Sequence, residues 1–198
     1  MKGFRNCIAL AGFGISLEAM NRPLIWFERK FDFTFPVEQY PNLCARLRGT
    51  PARLEEIVRG ADRDVLVRRP GNGKEEKWSA QEHAGHLLDL EPLWMARVHD
   101  YFTEASELTV ADLTNRKTSE AQHNRRPIEE IMAGFRSARS RLLSKAEKTD
   151  PATFARALLH PRMKTPMRLV DHLYFVAEHD DHHLAHIWGL INSGSWGH

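Results

Sequence analysis

An all-α domain is predicted by three observations. Four segments of the chain carry apolar residues at helical spacing, three of them open on a capping or proline signal, and strand signals are weak throughout. The chain has 198 residues, of which 42% are hydrophobic, enough for one well-packed domain and too few for two comfortable ones. Lys and Arg total 28 against 26 for Asp and Glu, so no nucleic-acid partner is expected from charge. The two cysteines, Cys7 and Cys44, lack metal-ligand spacing and are too few for a disulfide scaffold, so a reducing cytoplasm is the default location. No apolar run approaches the roughly twenty residues that cross a bilayer, so no membrane partner is expected.

The chain divides into an extension and aromatic arm over residues 1–36 and a helical domain over 37–198. Lys2 and Arg5 followed by the apolar run from Cys7 to Leu17 faintly resemble a signal peptide, but Glu18 to Arg22 makes a poor cleavage region. A plainer reading makes Met20 the natural start and the first nineteen residues an upstream extension. Leu24 to Pro36 is rich in aromatics and is expected to wrap across the helices as an arm, covering apolar surface or lining a pocket.

The first helix is read over Val37 to Gly60, from Leu43, Leu47, Leu54, Ile57 and Val58. Thr50-Pro51 within it predicts a kink or a restart, since Thr is an N-cap and Pro a first-turn residue. Ser79 and Glu82 form a capping box that starts the second helix, which runs to about Phe102 with a bend at Pro92. Thr103 to Arg126 is a long polar connection, the kind of segment that often forms a lid, and Asn115, Lys117 and His123 are candidates to border a site. The third helix opens at Pro127 and carries Ile128, Ile131, Phe135, Leu142 and Leu143; its Arg136, Arg139 and Arg141 are read as solvated surface. Asp150-Pro151 begins a short extra turn, and the fourth helix is expected to open at Thr165-Pro166 and stop between Asn192 and Gly194.

That last helix holds His179, His182, His183 and His186. His179 and His183 lie one turn apart, roughly 6 Å along the axis, and His182 and His186 have the same spacing. Direction separates the pairs. The apolar arc through Leu169, Leu173, Val176, Ile187 and Leu190 is centred nearer His179 and His183, which are therefore the inward pair. A metal site needs at least one further protein ligand, and His83 or His86 of the second helix can supply it.

Trp78-Ser79-x-x-Glu82-x-x-x-His86-Leu87-x-Asp89, followed by His179-x-x-x-His183-Leu184-Ala185, resembles the DinB-like (DinB/YfiT-like) superfamily of metal-binding four-helix bundles. The match covers the chain from about Trp26 onward. It implies a four-helix bundle with an N-terminal arm and a long crossover loop, and it transfers the family's metal ligands to His86, His179 and His183. It also implies an enzyme acting on a small molecule, either by thiol (S-)transfer with a low-molecular-weight thiol cosubstrate or by hydrolysis with water activated at the ion. A homodimer is a further expectation. His186 departs from the family pattern, where glutamine is common.

Three neutral imidazoles suit Zn, Ni or Fe and do not suit Mg or Ca, which prefer oxygen ligands. Catalytic carboxylates are unknown from the sequence; Asp180 and Glu82 are the candidates, and both are read as partners that fix an imidazole tautomer. His99, His123, His160 and His172 are read as ordinary histidines. The competing function class is a non-catalytic metal-binding stress or accessory protein. DNA binding, suggested by the family's damage-inducible name, finds no recognition-helix pattern.

Overall fold

The computed structural model describes residues 23–71 and 77–192. The expectations for residues 1–19, including the signal-like run, and for the stop at Gly194 lie outside these residues.

Four long helices form the bundle: α1 (Tyr40–Val58), α3 (Ala80–Asp100), α5 (Ile128–Ala146) and α7 (Leu169–Asn192). Shorter helices α2 (Arg63–Val67), α4 (Arg116–Glu120) and α6 (Pro151–Ala155) sit in the connections. Helix α7 packs between α1 and α3, and α5 packs on their other side, so α1 and α3 lie on one diagonal and α5 and α7 on the other. This arrangement puts the last helix of the chain beside the second long one, where their histidines can meet.

Helix α3 starts as its sequence dictates. Ser79 Oγ accepts from Glu82 N (3.1 Å), and the Glu82 carboxylate accepts from Ser79 N (2.9 Å), closing the capping box. Helix α1 is continuous through Pro51, so of the two expectations the restart does not occur. Proline cannot donate to the carbonyl four residues back, so Leu47 O is left without its helical partner; Arg139 Nη1 donates to it instead, at 3.3 Å.

Arg139 is therefore not solvated surface as the sequence suggested; it is buried, 1% exposed, and Glu91 and Asp180 both accept from its guanidinium. Thr50 Oγ1 also donates to Asp180, at 2.8 Å. Thr50, Glu91, Arg139 and Asp180 come one from each long helix and make a polar layer across the bundle. On one side of it lies an apolar cluster around Leu47, Trp94, Leu142, Leu173 and Phe175; on the other lies one around Leu54, Leu87, Phe135, Leu184 and Ile187. Burial pushes the Glu91 carboxyl up to about 7 despite the neighbouring Arg139. Burial also works against the Arg139 charge, but the attraction of Asp180 and Glu91 outweighs it and holds the guanidinium above its ordinary range.

The start of α7 also differs from expectation. Pro166–Arg168 is a strand, β2, paired antiparallel with β1 (Ala157–Leu159), and the helix begins at Leu169. Asp171 accepts from Arg168 N at 2.8 Å, so the first turn is closed by a carboxylate three residues in, and Thr165-Pro166 is not the cap. A three-residue strand carries too little alternation to be read from sequence.

The arm behaves as a cover. Trp26, Phe31, Phe33 and Phe35 pack on the bundle, with Phe31 against Phe175 at 5.0 Å and Phe35 against Tyr174 at 5.2 Å between ring centroids. Among the described residues, no helix is long and apolar enough to cross a membrane.

Candidate metal centre

His86 projects from α3, and His179 and His183 project from successive turns of α7. All three are buried, and one nitrogen from each lies within 4.8 Å of the other two. His182 and His186 stay half-buried at the rim, as the direction of the apolar arc implied.

The orientation of His86 follows from a chain of hydrogen bonds. Thr118 of α4 donates its single hydroxyl proton to Asp89 Oδ2 (3.0 Å), so toward His86 Nδ1 (3.0 Å) it acts as acceptor. His86 thus carries its proton on Nδ1 and leaves Nε2 with a lone pair. Asp89 Oδ2 also accepts from His123 Nε2 at 2.7 Å. The His123 ring lies against the backbone of α3 at Gly85, where a Cβ would collide with it. Glycine in mid-helix weakens the helix, and here the close approach of His123 explains its presence.

His183 faces two other imidazoles. Its Nδ1 is 2.8 Å from His83 Nδ1, and its Nε2 is 3.2 Å from His179 Nε2. Ligand nitrogens sharing one tetrahedral zinc ion at about 2.0–2.1 Å stand roughly 3.3 Å apart. The spacing of the two Nε2 atoms fits that value. His179 Nδ1 has no hydrogen-bond partner among the described residues. Burial pushes His86 down to about 4 and holds His179 and His183 well below their ordinary value, with the neighbouring imidazoles adding to the effect for those two. At neutral pH all three are uncharged, the state a metal ligand requires.

The imidazoles form one wall of a cavity of about 320 Å³. Trp26 and Phe27 of the arm, Trp78, Trp94 and Phe175 make most of the rest apolar. Trp78 lies over His86 at 4.6 Å, and Trp26 meets His179 edge-on at 5.0 Å between centroids. Both roles foreseen for the arm are therefore filled: Trp26 and Phe27 line the cavity, while Phe33 and Phe35 cover helix surface.

A family model, the DinB superfamily, matches residues 46–187. The chain belongs to the DinB superfamily. Among solved structures it is similar to YfiT from Bacillus subtilis, with a TM-score of 0.72 and 22% identity, covering 86% of this chain and 95% of that one. YfiT is described as a probable metal-dependent hydrolase with an unusual four-helix bundle topology. A second similar structure is a mycothiol-dependent maleylpyruvate isomerase, with a TM-score of 0.57 and 11% identity, covering 76% of this chain and 60% of that one. No curated protein sequence matches. At these identities the two structures establish the fold alone.

The carboxylates read as tautomer-fixing partners are engaged elsewhere. Asp180 accepts from Arg139 and Thr50 in the polar layer, and Glu82 accepts from Arg69 and Ser79 N. For Glu82 burial would raise the pKa, but Arg69 and the Ser79 backbone together hold it below the usual range. Neither residue has a described hydrogen bond to an imidazole. Of the loop candidates, Asn115 lines the cavity, Lys117 Nζ donates to Asp89 O at 3.1 Å, and His123 turns inward to Asp89. The residue of this loop that touches His86 is Thr118, which sequence reasoning passed over. Its neighbours Asn115 and Lys117 drew attention for their polar groups, while a lone threonine in a polar loop carried no signal of its own.

Proposed function

We propose that this protein is a metal-dependent enzyme that binds a divalent transition metal at His86, His179 and His183 and acts on a small molecule. The observation that carries the proposal is the convergence of three uncharged, buried imidazoles from α3 and α7 on one wall of an apolar cavity. The donor set is all nitrogen, which suits Zn, Ni or Fe. When bound, such an ion supplies a Lewis acid that lowers the pKa of a water or a thiol at an open position. The chain's own residues do the rest. Thr118 and Asp89 hold the His86 tautomer, His83 Nδ1 would accept from His183 Nδ1–H once His183 offers Nε2 as ligand, and Trp26, Trp78 and Trp94 exclude water and present apolar surface to the substrate.

The similar structures supply two branches, metal-dependent hydrolysis and thiol-dependent chemistry. One feature favours thiol transfer: the carboxylates near the site are engaged, Glu82 and Asp180 by arginines, Asp89 by Thr118 and His123, and Asp112 on the cavity wall by Thr114 and Arg116 N. A purely structural ion is the competing reading, and the adjoining cavity argues against it, since structural sites are closed.

Elemental analysis tests the metal directly. The purified protein should carry about one divalent ion per chain, and His183→Ala should carry essentially none while keeping its helical content. Equal loading in the two proteins would remove His183 from the ligand set. Turnover of an electrophile by the loaded protein with an added low-molecular-weight thiol, absent in His183→Ala, would establish the thiol branch.

A further inference from the structure

The cavity has a second polar end. Along α3, His86, Leu90, Leu93 and Arg97 follow one face, which places Arg97 roughly 16 Å along the axis from His86. Arg97 is 3% exposed, yet no described carboxylate pairs with it. Its Nε donates to Thr109 O at 2.9 Å, and Nη2 has no described hydrogen bond. The nearest acidic side chains are otherwise occupied: Asp100 accepts from Thr109 N and Oγ1, and Asp112 accepts from Thr114 and Arg116 N. A buried guanidinium without a direct ion-pair contact is costly: burial pulls Arg97 down to about 10, although the nearby Asp100 charge works the other way.

The contact between Arg97 Nη1 and His160 Nε2, at 3.2 Å, sharpens the point. His160 Nδ1 accepts from Arg162 N and Met163 N, both at 3.2 Å, so it bears no proton and the ring proton sits on Nε2. Two N–H donors therefore face each other at hydrogen-bonding distance with no acceptor between them. Arg162 lies beside them on the cavity wall; its guanidinium stacks over Phe27 at 5.1 Å and has no described hydrogen bond or ion pair. Three donors converge here, at the opposite end of an apolar cavity from the imidazoles.

We propose that Arg97, His160 Nε2–H and Arg162 form a carboxylate subsite, and that the substrate is an amphipathic monoacid. Its carboxylate is bridged by the two facing donors, and its apolar body lies along Leu93, Trp94 and Phe175 toward the imidazoles. A carboxylate is the group that fits, because its two in-plane oxygens can accept from the facing N–H pair and from the free guanidinium edge at once. The subsite itself needs no ion; that the bound acid is the substrate rests on the metal-dependent reading above.

The test uses 3-phenylpropionate and its neutral amide as probes, titrated against the chelator-treated full chain, with tryptophan fluorescence as readout because Trp26, Trp78 and Trp94 line the cavity. The acid should bind about tenfold or more tightly than the amide. Arg97→Met should bring the two within about twofold, and Arg162→Gln, at a partly exposed position, should reduce the preference at least about threefold. Equal affinities in the wild-type chain, failure of both probes to bind at millimolar concentration, or a preference unchanged in Arg162→Gln would overturn the subsite. In a parallel titration of zinc-loaded protein, a preference for the acid that appears only there would place the carboxylate on the ion and overturn it too. Because the first titration is done without metal, failure of the metal assignment leaves its result unaffected.

Discussion

Thr118 occupies the most informative position at the scale of single residues. Its hydroxyl passes the orientation of Asp89 to His86, so one proton on one oxygen decides which nitrogen of a proposed ligand is available. Thr118→Val keeps the volume and removes that proton. Metal affinity, measured by competition with a chelator, should fall about 10–100-fold while the melting temperature of the metal-free protein changes little. Gly85 makes a packing claim of the same size. Because a Cβ there meets the His123 ring, Gly85→Ala should destabilise the protein by about 1–3 kcal/mol in urea unfolding, and a second change of His123→Ala should recover part of the loss. Equal destabilisation with and without the His123 ring would show that the collision is not the cause.

At the scale of elements, the polar layer ties the four long helices in register. Arg139 answers three needs at once: the carboxylate of Asp180, that of Glu91, and the Leu47 carbonyl that Pro51 leaves without a donor. One guanidinium balances one carboxylate. Asp180 has the better-supplied site, with Thr50 as a second donor, and Glu91 Oε2 has no partner among the described residues. Burial pushes Glu91 up to about 7, consistent with its being the member that holds a proton as pH falls. Arg139→Met should therefore cost about 3–5 kcal/mol of stability, since it leaves two buried carboxylates and a carbonyl unanswered. Adding Glu91→Gln and Asp180→Asn should return a large part of that cost in the same unfolding measurement.

For the whole molecule, the concentration of buried histidines predicts acid lability. His83 is pushed down to about 3, His86, His160 and His182 to about 4, and His172, His179 and His183 well below their ordinary value, in every case chiefly by burial. These groups bind protons near pH 6.5 in the unfolded chain and only at lower pH when folded. Their stabilising contribution is present above pH 6.5 and is lost as pH falls through the folded values. The metal-free protein should lose thermal stability steadily from pH 6.5 to 4.5; a flat profile over that interval would contradict the burial of these rings. Raised Glu91 works in the opposite direction, with its contribution fading as pH rises toward 7, but it is one group against these seven and His186, which burial also lowers.

Periodicity and capping chemistry were enough to identify four long helices, the capping box at Ser79, and the inward direction of His179 and His183, because these depend on residues within one or two turns of each other. The same local reasoning misread Arg139, Asp180 and the start of α7. A buried arginine looks like a surface arginine until its counter-charges arrive from helices 41 and 48 residues away in sequence. Thr165-Pro166 looks like a helix cap until the strand just before it, Ala157–Leu159, claims the backbone in a hairpin. The meeting of His86 with His179 and His183, the link through Thr118 and Asp89, and the facing donors at Arg97 and His160 are likewise features of the tertiary structure. Each depends on where α7, the crossover segment and the hairpin come to rest against α3, and no pattern internal to a single helix carries that information.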